Sequence, residues 1–341
     1  MIEQYLNVRN SLRNLSDSEF EDIVPTLALE LSTLDYKFNY TEQELYSDWM
    51  DLLNRESSTK YVPSTRREGM RLCEHFMPNF WSIQSAKGMS FEILWTAENL
   101  ERILRYNRKM HSTPYMSEIR RTLYFTFGLP KSTMYRPGLA KAITIAYKGK
   151  TVLDPCAGWG GRMLGTVAAG AHYTAFEPNI TTYENLLKIV DFLKLHDKVM
   201  LFNSPAQEIS NTKLPHRKYD VILTSPPYYS LEVYTYNSTQ SYTPGMSYLE
   251  WVDFFLKPVI FQCVDLLGKS GVSCWNVSNV KKYHLVQDVA DIHYVKGFEK
   301  VNDFGVVSSA RPTQESDAKT TDTTVVYSQR SAPVQEFFTY A

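Results

Sequence analysis

Ser225-Pro226-Pro227-Tyr228 sets a hydroxyl, two fixed backbone angles and an aromatic ring in four consecutive positions, directly after the apolar run Asp220-Val-Ile-Leu-Thr224. Such a turn is suited to holding a flat, amino-bearing ring against a reactive methyl group. The exocyclic amine of adenine or cytosine is a poor nucleophile because its lone pair is delocalised into the ring. A site helps by accepting hydrogen bonds from the NH2 group, so that nitrogen becomes more tetrahedral as it attacks. The Ser225 hydroxyl and the Pro226 carbonyl suit this, since proline fixes the backbone and leaves that carbonyl outside a strand ladder. Tyr228 is the stacking platform, and a duplex base reaches it only by flipping out. Alignment supplies much of the acceleration, and no dedicated general base is required.

A second constellation lies upstream. Thr151-Val-Leu-Asp-Pro-Cys-Ala-Gly-Trp-Gly-Gly-Arg162 reads as a strand, a glycine-rich turn and a helix start. Glycine lets backbone approach a ligand closely, and a helix start offers free N–H donors. Asp154, Cys156, Gly158 and Gly160 are therefore candidate cofactor contacts. Open α/β sheets bind ligands at such turns, at the carboxyl ends of their strands. Phe176-Glu177-Pro178-Asn179 closes the next strand, where a carboxylate would take ribose hydroxyls, so Glu177 and Asn179 join the set. The dinucleotide pattern G-x-G-x-x-G is not met by Gly158-Trp-Gly-Gly-Arg162, which disfavours NAD. A tight turn without a ligand is the alternative reading of these glycines.

Asp154-Pro-Cys-Ala-Gly-Trp-Gly160 resembles the D-P-F-x-G-x-G motif of S-adenosylmethionine-dependent DNA amino-methyltransferases. Ser225-Pro-Pro-Tyr228 resembles their catalytic (D/N/S)-P-P-(Y/F/W) motif, and the similarity extends over residues 134–330. Arg136-Pro137-Gly138-Leu139 is similar to the segment that precedes their first strand and closes over the methionine end of the cofactor. The motif order, without a large insert, resembles the gamma arrangement, in which target recognition lies outside this interval.

The resemblance implies S-adenosyl-L-methionine as cofactor, with Arg136 and Pro137 beside it. It implies Ser225, Pro226, Pro227 and Tyr228 as the catalytic set. Serine in the first position leans toward cytosine N4 over adenine N6. Two departures bear on the site. Cys156 replaces an aromatic or bulky apolar residue, and Asn203-Ser204-Pro205 stands where the family often has an acidic residue near adenine. Ser204 is taken as the hydrogen-bonding substitute there.

The expected partner is DNA, with RNA base amino-methylation as the alternative; no RRM or KH signature occurs in the first 130 residues. A catalytically silent methyltransferase-fold subunit is a third reading, disfavoured by the intact Gly158, Gly160, Glu177 and tetrapeptide. A cytosine-C5 mechanism through Cys156 is disfavoured by its place in the cofactor turn. Tyr229, Tyr234 and Tyr236 fit packing as well as a base pocket. His196 and His216 lack partners at ligand spacing and are expected at the surface, and no metal is expected.

Strands must hold both constellations at one sheet edge. Apolar runs predict strands at Thr151–Asp154, Tyr173–Glu177, Val199–Asn203, Val221–Ser225 and Val272–Val277, then a last pair at Phe304–Ser308 and Thr323–Ser328. Helices fit 138–147, 160–169, 180–194, 247–267 and 282–291. The expected fold is α/β: a doubly wound, Rossmann-like methyltransferase sheet with a terminal antiparallel pair, after a mostly helical N-terminal region. In that region Ser16-x-x-Glu19 and Thr41-x-x-Glu44 are capping boxes, and 65–82 and 94–110 read as helices. The expected division is 1–130 accessory, 131–330 methyltransferase domain and 331–341 tail.

Charge is uneven. Residues 1–59 carry 4 Lys/Arg against 12 Asp/Glu, and residues 60–150 carry 16 against 6. The basic segment is where a polyanion would lie, interleaved with Tyr61, Phe76, Phe80, Trp81, Tyr106, Tyr115, Tyr124 and Phe125, most of them expected in the core and some suited to stacking on bases; a solvated helical face is the plainer alternative. The acidic segment would form a protein interface or cap the basic one. The four cysteines show no CxxC spacing and the start has no basic and apolar leader pattern, which predicts a cytoplasmic chain with reduced thiols. No apolar run approaches the roughly 20 residues of a membrane span.

Overall fold

The computed structural model describes residues 2–56, 61–85, 87–129, 133–231, 233–234, 239–279, 282–307 and 320–330. Eight strands form one sheet: β1 Tyr61–Pro63, β2 Thr151–Asp154, β3 His172–Phe176, β4 Val199–Phe202, β5 Tyr219–Thr224, β6 Leu267–Asn276, β7 Phe298–Val307 and β8 Thr320–Gln329. Their order is β1-β7-β8-β6-β5-β2-β3-β4. The pairs β1–β7, β2–β3, β2–β5, β3–β4 and β5–β6 are parallel, and β8 runs antiparallel to both β6 and β7. This is the doubly wound sheet with a terminal antiparallel pair that the sequence predicts.

The chain leaves β2 toward β3 and β4, then returns to the other side of β2 to lay down β5. The order therefore reverses between β2 and β5, and a crevice opens beyond the carboxyl ends of those two strands. Both sequence constellations sit at these ends.

The helices are α1 Asp17–Ser32, α2 Glu42–Asn54, α3 Met70–Phe76, α4 Phe91–Leu94, α5 Ala97–Lys109 and α6 Met116–Phe127, followed by α7 Pro137–Ala146, α8 Gly161–Ala168, α9 Ile180–Leu193, α10 Tyr248–Trp251, α11 Lys257–Asp265 and α12 Leu285–Val295. Both predicted capping boxes form at α1 and α2, and Ser247 with Glu250 forms a third at α10. Each cap contributes about 1 kcal/mol by satisfying orphan N–H groups. The helix expected over 247–267 contains a π turn at Val252–Leu256 and ends at Asp265, because the following residues enter β6. Strand β7 begins at Phe298, six residues before the predicted Phe304. Its early part pairs with β8 while showing a polar face, so apolar pattern alone misses it. Ser308 and most of the expected 311–321 loop lie outside the described residues, as does the 331–341 tail.

The chain forms two compact units, one of Met1–Asn39, Pro78–Thr133 and Ser230–Tyr236, the other of Tyr40–Met77, Met134–Tyr229 and Asn237–Ala341. Residues 40–77, expected in the accessory region, thus belong with the sheet. The reason is apolar: Leu45, Trp49 and Leu52 of α2 share one core with Leu139 and Ile143 of α7, and β1 extends the sheet beyond β7. In the first unit, Phe20, Leu27, Trp81, Phe91, Ile103 and Leu123 form a separate core.

Some cations of the basic stretch are held in ion pairs within each unit. Arg105 pairs with Glu21 and Glu101, and Arg108 pairs with Asp17 at 2.8 Å while donating to the Leu12 and Leu15 carbonyls. Arg67 pairs with Glu74, and Arg55 with Glu68 at 3.0 Å. Of these pairs, Glu21 with Arg105 and Asp17 with Arg108 join the acidic 1–59 stretch to cations of 60–150. Exposed pairs of this kind are worth about 0–1 kcal/mol each, so they arrange charge more than they stabilise. Trp81 is core, whereas Tyr61, Tyr106, Tyr115 and Phe125 are exposed.

Candidate active site

The turn after β2 is organised by Asp154. Its fully buried carboxylate accepts four hydrogen bonds: Arg162 Nε at 2.6 Å and Tyr173 OH at 2.7 Å on Oδ2, Cys156 N at 3.0 Å and Thr224 Oγ1 at 2.8 Å on Oδ1. Arg162, itself 4% exposed, also donates to the carbonyls of Cys156 and Ala157. With both oxygens bonded to protein groups, Asp154 shapes the turn.

Gly158 and Gly160 adopt left-handed backbone, with φ of 59° and 84°, which a side chain would strain. A Cβ on Gly158 would meet nothing nearer than 3.7 Å, an ordinary van der Waals distance, so it is the backbone conformation and not crowding that calls for glycine there. The glycines of α8 serve a different end. A Cβ on Gly161 would overlap the Tyr135 carbonyl, and one on Gly165 would overlap the Pro137 carbonyl. Their absence of side chain lets α8 lie directly against the segment that carries Arg136 and Pro137. Gly165→Ala is expected to cost about 3 kcal/mol through overpacking. A denaturation midpoint equal to wild type would contradict that close approach.

Glu177 follows β3 and is 8% exposed. Its Oε2 accepts from Gly158 N at 3.1 Å and its Oε1 from Asn179 N at 2.9 Å. Burial is the largest influence on this carboxyl and pushes it up to about 7, against the pull of those two N–H groups. Asn179 spends its side chain as the N-cap of α9, accepting from Thr182 N at 3.2 Å. Ser204 Oγ donates to Glu208 Oε2 at 2.6 Å, and Asn203 Nδ2 donates to the Glu177 carbonyl at 2.9 Å. Arg136 caps the start of α7 with Pro137 at the first helical position, and its guanidinium donates to the Arg66 carbonyl at 3.1 Å. The Cys156 thiol is pushed well above its ordinary value by burial, with the Asp154 carboxylate adding to the effect. A thiolate nucleophile is therefore disfavoured there.

Ser225 begins where β5 ends. The Thr224 bond to Asp154 ties this strand end to the glycine turn, so the two motifs are brought to one edge of the switch point. Ser225 Oγ donates to Asn276 Oδ1 at 3.3 Å, and Tyr228 OH donates to the Asn276 carbonyl at 3.1 Å and to its Oδ1 at 3.2 Å. Asn276, at the carboxyl end of β6, was not singled out by sequence. Its local signal is weak: a polar residue inside the predicted Val272–Val277 strand, which also holds Ser273.

Tyr229 has φ of 49°, uncommon for an aromatic residue, and is 7% exposed. Rings of Tyr242, Tyr248, Trp251 and Tyr283 surround it at 4.9–5.9 Å between centroids. It packs, holding the end of the tetrapeptide in this backbone shape. Tyr234 is half-buried, and Tyr236 lies outside the described residues. His196 is exposed beside Asp191, while His216 is half-buried against His172 and Tyr219.

No protein-family model matches the chain, and no curated protein matches it. Among solved structures, a SAM-dependent O-methyltransferase from Thermotoga maritima is similar over 61% of this chain and 70% of that one, at 11% identity and a TM-score of 0.40. TrmN from Thermus thermophilus is similar over 63% and 67%, at 13% identity and a TM-score of 0.39. Precorrin-6y C5,15-methyltransferase from Geobacter metallireducens is similar over 58% and 90%, at 14% identity and a TM-score of 0.38. The sheet order, with an antiparallel strand between β6 and β7 and a glycine turn at the switch point, makes this a methyltransferase-fold protein. Among the described residues, no helix is long and apolar enough to cross a membrane.

Proposed function

We propose that this chain transfers the methyl group of S-adenosyl-L-methionine to the exocyclic amine of a flipped DNA base, cytosine N4 ahead of adenine N6. The observation that carries this reading is the 2.8 Å Thr224–Asp154 hydrogen bond, which joins the residue before Ser225 to the start of the glycine turn. A methyl donor seated on the turn would thereby face the tetrapeptide.

The donor set fits the cofactor. Each Glu177 oxygen takes one backbone N–H and keeps lone-pair capacity for a hydroxyl, which matches the vicinal diol of a nucleoside. The left-handed glycine backbone at Gly158 and Gly160 suits close approach of a ligand, and Arg136 at the start of α7 is the residue that the resemblance would set at the methionine end. Bound there, the cofactor supplies a methyl group activated by positively charged sulfur. Ser225 Oγ and the Pro226 carbonyl accept hydrogen bonds from the amine, whose surplus proton leaves to solvent after methyl transfer, and Tyr228 stacks on the base. Phosphate contacts by the 60–150 segment would fall first on cations outside the ion pairs described above.

Cofactor affinity is expected to rise between about pH 6 and pH 8, because only the Glu177 carboxylate accepts both hydroxyls; below about 7, each unit of pH costs about tenfold. In the free protein the same group acts oppositely. Its folded value lies above the unfolded one, so its contribution to stability is intact below about pH 4.5 and lost as pH rises through about 7. Glu177→Gln should flatten both profiles. Titration calorimetry across this range checks it, and an affinity independent of pH in the wild type would remove Glu177 from the cofactor site.

The assignment itself is tested by incubating the protein with labelled S-adenosylmethionine and a set of DNAs and RNAs, then identifying the methylated nucleoside by mass spectrometry. N4-methylcytosine in DNA is expected. Methylated RNA alone would shift the substrate, and a protein that does not bind S-adenosylmethionine would be a silent fold.

A further inference from the structure

Asn276 touches neither motif in sequence, yet it holds the side chains of both polar members of the tetrapeptide. Its Oδ1 lies 3.3 Å from Ser225 Oγ and 3.2 Å from Tyr228 OH. The other end of the amide is anchored: Nδ2 donates to Thr324 Oγ1 of β8 at 3.4 Å, and that hydroxyl is hydrogen-bonded to Tyr135 OH at 2.8 Å. Asn276, Thr324 and Tyr135 are all buried. The buried hydroxyl pair occupies the amide's donor end and leaves the carbonyl end toward Ser225.

That polarity has a chemical consequence. A serine hydroxyl has one proton and two lone pairs. With its proton drawn back toward Asn276, Ser225 presents lone pairs to whatever enters from the crevice. A hydroxyl so oriented accepts from an NH2 group and cannot donate to it. The same amide oxygen and the Asn276 carbonyl share the Tyr228 phenol, which pins the hydroxyl end of the ring and so the direction of its axis. The bonds of 3.2–3.4 Å are long for their type, as catalytic contacts commonly are before substrate tightens them.

We propose that Asn276 is the positioning residue of this site: it sets the proton direction of Ser225 and holds the hydroxyl end of the Tyr228 ring, so that the tetrapeptide meets an amine as a pure acceptor beside an anchored stacking ring. The amine part rests on the function proposed above; the ordering of the tetrapeptide does not.

The test uses the full chain in two arms. In the first, without substrate, protein labelled at the tyrosine ring carbons is examined by NMR, with Tyr228 assigned through Tyr228→Phe. Asn276→Leu is expected to lower the ring order parameter of Tyr228 and leave that of buried Tyr327 unchanged. Asn276→Asp, which keeps both acceptors, should retain wild-type order. In the second arm, on the nucleic acid that the wild type methylates, Asn276→Leu should lower kcat by about 100-fold, with the KM for the base and the cofactor Kd within about threefold. Asn276→Asp should recover most of the turnover. Should leucine not be accommodated, Asn276→Ala carries the same expectations with less volume. An unchanged Tyr228 ring in a folded Asn276→Leu or Asn276→Ala protein overturns the assignment, whether or not the wild type is active. A disordered ring with full kcat overturns its catalytic part. If the wild type methylates no nucleic acid while the ring responds as expected, the amine reading fails and Asn276 stands as the group that orders the turn.

Discussion

Ser225→Ala is expected to lower methyl transfer by about 100-fold or more while the affinity for S-adenosylmethionine stays within about threefold. The hydroxyl accepts a hydrogen bond that strengthens only as the amine nitrogen becomes tetrahedral, so its loss falls on turnover and not on ground-state binding. Ser225 is half-buried and outside the Asp154 cluster, so the turn that would seat the cofactor remains intact. Tyr228→Ala should be at least as severe, because it removes the stacking face. Tyr228→Phe keeps the ring and loses the phenol's hold on Asn276. Single-turnover rates with saturating cofactor separate these effects. Wild-type rates in both alanine variants would end the catalytic assignment of the tetrapeptide.

Asp154→Ala is expected to cost about 3–5 kcal/mol of folding stability, because it leaves the buried Arg162 guanidinium without its counter-charge. The change also frees Tyr173 OH, Cys156 N and Thr224 Oγ1, so the turn and the end of β5 lose their common anchor. A double change, Asp154→Leu with Arg162→Met, should recover part of the stability, since no unpaired charge then remains. It should not recover cofactor binding, because the turn would no longer be tied to β5. Denaturant midpoints and calorimetry report the two quantities separately. Wild-type stability in Asp154→Ala would show that the buried pair contributes nothing, contrary to its geometry.

The two predictions rest on different kinds of information. The tetrapeptide and the glycine turn are chemically distinctive over a few residues, so their positions after β5 and β2 were legible from the chain alone. The capping boxes at α1 and α2 were legible for the same reason, because donor and acceptor lie three residues apart. Strand β1 was not. It is three residues long, sits in a polar stretch and exists only because β7 offers an open edge. The start of β7 was missed because its polar face meets no core, and its order comes from the ladder with β8.

Motif resemblance placed Asp154 among the cofactor contacts, but the donors around its buried carboxylate follow from the fold. Four surround it, from Cys156, Arg162, Tyr173 and Thr224. Likewise, the excess of cations over 60–150 was a true count that did not imply a bare basic face. Glu21 and Asp17 come from the far end of the same unit to pair with Arg105 and Arg108.

Short-range chemistry is thus what this sequence settles by itself: most of the strands and helices, the glycine turn after β2 and the Ser-Pro-Pro-Tyr turn at the tip of β5. Backbone propensity, capping and local hydrogen bonding act within a few residues and leave a local imprint. The tertiary structure decided which of those residues face outward. Asn276, Thr324 and Tyr135 lie 48 and 189 residues from their hydrogen-bond partners, and no local pattern marks a contact that exists only after the sheet has closed.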